Sequence, residues 1–85
     1  MRKIVLASHH LLADGLKDTI QYLMPTLTDI KSVSAYMDNL PVEKQLKEVL
    51  GEINEDDEYI IFTDMLGGSV NQEAVKYLQY PNVYV

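Results

Sequence analysis

The sequence predicts an α/β domain of three layers, in which a doubly wound, mainly parallel four-stranded sheet of order 2-1-3-4 carries helices on both faces. Short apolar runs alternate with longer segments of helical spacing, and this order of elements requires right-handed crossovers between parallel strands. Residues 4–7 and 59–62 are apolar without polar alternation, which is typical of strands buried on both faces. The 85 residues suffice for a single domain, 1–85, with a thin core.

The first strand and the first helix enclose a turn that carries two histidines. The strand is predicted over about Lys3 to Ala7 and the helix over about Leu11 to Met24, where Pro25 stops it. His9 and His10, the only histidines of the chain, therefore fall in the crossover at the carboxyl end of a strand, where open α/β sheets bind ligands. The spacing of apolar side chains predicts a helical core stripe of Leu12, Leu16, Ile20 and Leu23.

The second strand and the second helix follow after a short link. Residues 30–35 form the strand, and because serines alternate with its apolar residues we expect it near an edge of the sheet. An Asp38 or Asn39 cap and a first-turn proline, Pro41, then begin a helix that ends at Gly51. The apolar positions of this helix are Val42, Leu46, Val49 and Leu50.

The third and fourth strands flank the last helix. The third strand is predicted over Tyr59 to Thr63. Ser69 and Gln72, which lies three residues further on, form a capping box for a helix over about Val70 to Tyr80. Residues 83–85 then begin the fourth strand.

Composition excludes several classes of function. A net charge of −6 argues against a nucleic-acid or anionic-membrane surface, which needs clustered Lys and Arg. The five carboxylates in residues 52–58 predict a loop between the second helix and the third strand whose charged side chains are in water. The chain has no cysteine, so thiolate chemistry and Cys-ligated zinc are excluded. Without an apolar run of about 18 residues or a signal-peptide core, a cytoplasmic protein is expected.

The carboxyl ends of the first and third strands are the predicted functional site. If these strands are neighbours, His9 and Asp64 face each other. A neutral imidazole nitrogen can then attack phosphorus, while the carboxylate on the other ring nitrogen fixes the tautomer and stabilises the growing positive charge. The turn of Gly67, Gly68 and Ser69 lets backbone amides approach phosphoryl oxygens closely.

Two motifs resemble the IIA component of the mannose-type (mannose, fructose, sorbose) bacterial phosphotransferase system. They are residues 4–9 followed by 13–16, and residues 62–71, in the right order and at the right spacing. The resemblance implies that His9 is phosphorylated by the phosphocarrier HPr and transfers the group to a histidine of the IIB component. It also implies that Asp64 orients His9 and that Ser69, with nearby amides, steadies the phosphoryl group. No metal or cofactor is expected.

The sequence departs from this family at three places. His10 stands where the family usually has glycine. We assign the phosphorylated role to His9, because His9 is in register with the family motif. His10 is expected to be an exposed neighbour with at most an auxiliary role. Val70 replaces a proline, which is a minor change. Members of the family are longer than this sequence, which stops inside the fourth strand. We therefore expect either a partial domain or a shortened protein, and a homodimer built on later residues is left open.

Other functions and partners stay open at this stage. One is the phosphotransfer subunit of a dihydroxyacetone kinase system, although Gly67-Gly68-Ser69 favours the sugar transporter. Another is a non-enzymatic regulatory module that senses phosphorylation state. Tyr36 and Met37 are candidates for a protein contact patch at the same end of the sheet. The resemblance implies that the protein reaches the membrane only through IIC and IID components and does not contact the sugar.

Overall fold

Four parallel strands form one sheet, as predicted. The computed structural model describes residues 2–27, 29–37, 40–65 and 67–85. The strands are β1 (Arg2–His9), β2 (Ile30–Ala35), β3 (Glu58–Thr63) and β4 (Val83–Tyr84), and the helices are α1 (Leu12–Leu23), α2 (Val42–Leu50) and α3 (Ser69–Val75), with a 3₁₀ helix at Lys76–Gln79. The strand order is β2-β1-β3-β4, and all pairs are parallel. The predicted fold class, strand order and edge position of β2 are confirmed.

Helices cover both faces of the sheet, so the molecule has the three predicted layers. The larger apolar cluster lies between the sheet and the helices α2 and α3, with Leu46 and Val70 completely buried in it. Leu46 belongs to the apolar stripe that the spacing predicts for the second helix. The smaller cluster lies under α1 and contains the buried side chains Leu6, Ala13 and Ile30.

The predicted core stripe of α1 is wrong in part. Ala13 is the buried residue of this helix, whereas Leu16 is 44% exposed and Leu23 is 70% exposed. The reason is that α1 packs over β1 and β2, and no described element covers β3 on this face of the sheet. Phe62 of β3 is therefore 55% exposed, and the expected burial of β3 on both faces is wrong on this side. An apolar groove of about 480 Å³ lies there, lined in part by Ile4, Leu6, Leu12, Leu16 and Phe62.

The ends of α2 follow the sequence signals with one shift. Pro41 is the residue before the helix, with φ −61° and ψ 142°, and not a member of its first turn as predicted. The predicted caps, Asp38 and Asn39, lie outside the described residues. Gly51 ends the helix with φ +61°, a left-handed conformation that glycine adopts without steric cost. The predicted C-terminus of α2 is confirmed.

The last helix is shorter than predicted and tightens at its end. The segment predicted as one helix over residues 70–80 is α3 followed by the 3₁₀ helix. β4 then pairs with β3 through Val83 opposite Tyr59, as the fourth strand was expected to do. The four-residue 3₁₀ segment gives a tighter turn before Pro81 ends the helical region.

Leucine-to-alanine substitutions on the two faces of the sheet should lower the free energy of unfolding by different amounts. Leu46→Ala on α2 should lower the free energy of unfolding by about 2–5 kcal/mol, because it opens a cavity in a fully buried site. Leu23→Ala on α1 should lower it by less than about 0.5 kcal/mol, because that side chain is mostly exposed. Urea denaturation of both variants measures the difference, and equal losses would contradict the description of the α1 face.

Candidate functional site

The carboxyl ends of the parallel strands β1, β2 and β3 lie at the same end of the sheet. β1 extends beyond its predicted end to His9, which pairs with Ala35 on β2. Both histidines were predicted to lie in the crossover between strand and helix. Because the pairing with β2 continues to His9, that residue belongs to the strand, and only His10 lies in the crossover. Tyr36 and Asp64 directly follow β2 and β3. The parallel direction of the strands therefore places these side chains at the same edge.

Asp64 holds His9 at two places. Its Oδ2 accepts a hydrogen bond from the His9 backbone N–H at 2.9 Å and lies 3.1 Å from the ring Nδ1. Oδ1 lies 3.4 Å from the same nitrogen. Since an ionised carboxylate only accepts hydrogen bonds, this contact assigns the proton of the neutral ring to Nδ1. Nε2 then keeps its lone pair, on a side chain that is 37% exposed.

The charge state of Asp64 fits this role. Desolvation acts to raise the pKa of Asp64, but the hydrogen bonds from the backbone and ring of His9 outweigh it, and the pKa is lowered from the ordinary 3.8. The side chain is 15% exposed, so water screens it only in part. Asp64 is therefore an anion at neutral pH and is placed to balance positive charge on the imidazole.

Ser69 and Tyr36 lie on the other side of the imidazole. The Ser69 Oγ is 3.4 Å from His9 Nε2 and 2.5 Å from the Tyr36 hydroxyl oxygen. The Tyr36 ring stacks on the imidazole with a centroid distance of 5.1 Å and an interplanar angle of 30°. Sequence reasoning placed Tyr36 only in a partner contact patch. Its position directly after β2, at the edge that also carries His9, was the available signal for a role in the site itself.

The capping box predicted for α3 is wrong. Gly68 is the residue that precedes the helix, Ser69 is its first residue, and no side chain caps it. The Gln72 side chain donates instead to the Gly67 carbonyl oxygen at 2.9 Å. Because Ser69 is already helical and its hydroxyl is bonded to Tyr36, that hydroxyl is turned toward His9 and not toward the helix amides.

The Asn71 side chain forms hydrogen bonds to the end of β3 and to the connection between β3 and α3. Its side chain is largely buried, accepts a hydrogen bond from the Gly67 N–H at 3.0 Å and donates to the Thr63 hydroxyl at 2.9 Å. Gly67 has φ +79°, which glycine adopts readily, and the Gly68 N–H donates to the Met65 carbonyl at 3.0 Å. The role of Gly67 and Gly68 as phosphoryl ligands stays a prediction, and it requires that these two hydrogen bonds open.

Ser8 ties the end of β1 to the start of α1. It is buried, and its Oγ accepts a hydrogen bond from the Ala13 N–H at 2.7 Å. Between these two residues His10 is exposed, as expected, and its N–H donates to the Ala35 carbonyl at 2.8 Å. His10 has φ +54°, a left-handed conformation that is unfavourable for a residue with a Cβ. This explains why a glycine suits the position.

Over residues 2–27, 29–37, 40–65 and 67–85, no three His, Cys, Asp or Glu side chains converge as metal ligands. Within the same ranges, no helix combines the length and the apolar character that a bilayer-spanning segment requires. The contacts of the site bring together an oriented imidazole, a carboxylate and two hydroxyls.

A family model and solved structures match this chain. The family model described as PTS system fructose IIA component (EIIA-man) matches residues 3–84. A crystal structure from Klebsiella pneumoniae, named as a phosphoenolpyruvate-dependent sugar phosphotransferase system (PTS) permease, is 30% identical with a TM-score of 0.87. It matches over 98% of this chain and 61% of its own, so the present chain spans about three fifths of that protein.

A second structure shares the fold. Phosphotransferase system component EIIA from Streptococcus agalactiae is 20% identical, with a TM-score of 0.80, over 100% of this chain and 67% of its own. At this level of identity the likeness shows a common architecture. The search of curated proteins found no match.

The lowered pKa of Asp64 predicts acid destabilisation. The pKa of Asp64 is lower in the folded than in the unfolded protein, so its ionised carboxylate adds to the free energy of unfolding. This contribution is complete above the unfolded-state pKa near 3.8 and is lost as the pH falls through the folded-state pKa. Asp64→Asn should therefore destabilise the protein at pH 7 and differ less from wild type near pH 3. Urea denaturation at both pH values measures this, with exposed Asp18→Asn as the control. A difference that is independent of pH would contradict the assigned pairing.

The backbone of His10 predicts a stabilising substitution. His10→Gly should raise the free energy of unfolding by about 0.5–1 kcal/mol, because it relieves the left-handed strain at φ +54°. His10→Ala, which keeps a Cβ, is the matched control and should give no such gain. Thermal and urea denaturation measure both variants, and an equal stability of the two would refute the strain argument.

Proposed function

The chain belongs to the family of PTS fructose IIA components of the sugar phosphotransferase system, and we propose that it is a phosphoryl relay protein. In this proposal His9 accepts a phosphoryl group from the phosphocarrier HPr and passes it to a histidine of a IIB component, in support of sugar uptake. The observation that carries the proposal is the bond between Asp64 and Nδ1 of His9, which leaves the Nε2 lone pair directed at Ser69.

The proposed reaction exchanges one nitrogen–phosphorus bond for another. Nε2 of His9 attacks the phosphorus of phosphohistidine in HPr, and as the new bond forms the donor bond breaks and leaves its electron pair on the donor ring. The proton on Nδ1 stays in place because Asp64 holds it. In the second step a histidine of IIB attacks the same phosphorus and His9 recovers its lone pair. Since both partners are imidazoles, the site has to position the reactants more than to activate them.

Charge around His9 supports this sequence of steps. The ring gains positive charge when Nε2 bonds to phosphorus, and the Asp64 carboxylate next to Nδ1 stabilises that charge. On the other side, the Ser69 hydroxyl lies within reach of a group on Nε2 and can donate to a phosphoryl oxygen. Asp64 is thus the proposed orienting residue and Ser69 the proposed phosphoryl ligand.

The proposed setting follows from the same family. We place the protein in the cytoplasm, with contact to the membrane only through the IIC and IID components. The family match favours the sugar transporter over the dihydroxyacetone kinase system.

Phosphorylation by HPr tests the proposed function. Radiolabelled phospho-HPr should transfer acid-labile label to the wild type, and purified IIB should then remove it. His9→Ala should lose more than about 99% of the label, because no other group replaces an attacking nucleophile. His10→Ala is the matched control and should be labelled as wild type. Circular dichroism confirms the fold of each variant, and label lost in the His10 variant alone would overturn the assignment.

A further inference from the structure

Tyr36 adopts a backbone conformation that is unusual for an aromatic residue. It directly follows β2, has φ +65° and is 48% exposed. Bulky residues rarely adopt the left-handed region, and such strain clusters at functional sites when contacts hold it in place. Tertiary contacts are therefore needed to hold Tyr36 in this conformation.

Among the described residues, the ring and the hydroxyl of Tyr36 both contact the candidate site around His9. The Tyr36 ring stacks on His9 at 5.1 Å, and its hydroxyl is bonded to the Ser69 hydroxyl at 2.5 Å. Neither contact stabilises the hydrophobic core, because the Tyr36 side chain lies at the exposed mouth of the sheet. The left-handed turn after β2 thus places one ring and one hydroxyl beside the imidazole.

The direction of the hydrogen bonds follows from the tautomer of His9. Because Asp64 accepts from Nδ1, Nε2 is an acceptor and the Ser69 hydroxyl points its proton at it. The Ser69 oxygen then accepts from the Tyr36 hydroxyl. Tyr36 is therefore the outer donor in a chain of two hydroxyls that ends at the nucleophilic nitrogen.

We infer that the Tyr36 hydroxyl donates a hydrogen bond directly to the phosphoryl group when His9 carries it, and so controls its lifetime. This inference rests on the proposed function. Once Nε2 is bonded to phosphorus it no longer accepts from Ser69, so both hydroxyl protons turn to the phosphoryl oxygens next to them. Hydrogen bonds to an anionic oxygen are stronger than those between two neutral hydroxyls. The stacked ring of Tyr36 also shields one face of the imidazole from water.

The lifetime of phosphohistidine tests this inference. The whole chain is phosphorylated with phosphoramidate, a small donor that needs no protein partner, and the decay of the phosphorus-31 resonance is followed at pH 7.5. Tyr36→Phe keeps the ring and removes the hydroxyl, so the half-life should fall about tenfold and the resonance should shift. Tyr22→Phe, on an exposed residue of α1, is the matched control and should leave both unchanged.

A double-mutant cycle separates direct from indirect action. In a Ser69→Ala background, Tyr36→Phe should still shorten the half-life, because the two hydroxyls contact different phosphoryl oxygens. If Tyr36→Phe has no effect in the wild-type background, or only in the presence of Ser69, direct contact is overturned while the relay function stands. If the wild-type protein takes up no phosphoryl group from either phosphoramidate or phospho-HPr, the relay function fails and this inference with it.

Discussion

One carboxylate, that of Asp64, organises the candidate site. It binds the backbone N–H of His9 and the ring Nδ1 of the same residue, so a single side chain fixes both the end of β1 and the orientation of its imidazole. This double contact is possible because β1 and β3 are adjacent and parallel, with Ala7 opposite Thr63. A slip of one residue in that register would send the His9 side chain to the opposite face of the sheet. The pairing of the two central strands is therefore the constraint from which the chemistry of the imidazole follows.

Most of the architecture could be predicted from local patterns. The unbroken apolar runs of β1 and β3 indicate central strands, and the serines of β2 indicate an edge, which together give the observed strand order. The burial of α1 could not be predicted in the same way. Periodicity shows which side chains share a helix face, but burial depends on what lies opposite. Because no described element covers β3 on that side, Leu16 and Leu23 are exposed while the small Ala13 is buried.

The site was predictable to the extent that strand ends determine it. His9 and Asp64 lie together because each ends or follows a central parallel strand. The hydrogen bond between Tyr36 and Ser69 escaped prediction, since no local pattern indicates a contact between two residues 33 positions apart. The Ser69-x-x-Gln72 pattern matched a capping box, but the tyrosine contact competes for that serine. A tertiary contact thus overrode a local signal that is otherwise well founded.

The distance along the chain between the partners of the site orders their assembly during synthesis. His9 leaves the ribosome 55 residues before Asp64 and 60 before Ser69, so an emerging chain carries a bare histidine that nothing orients. The imidazole acquires its fixed tautomer only after β3 has been made and has inserted beside β1, which is a slow, non-local step in folding. The orientation of the His9 imidazole is therefore a late property of the chain, and it reports that β1 and β3 have paired.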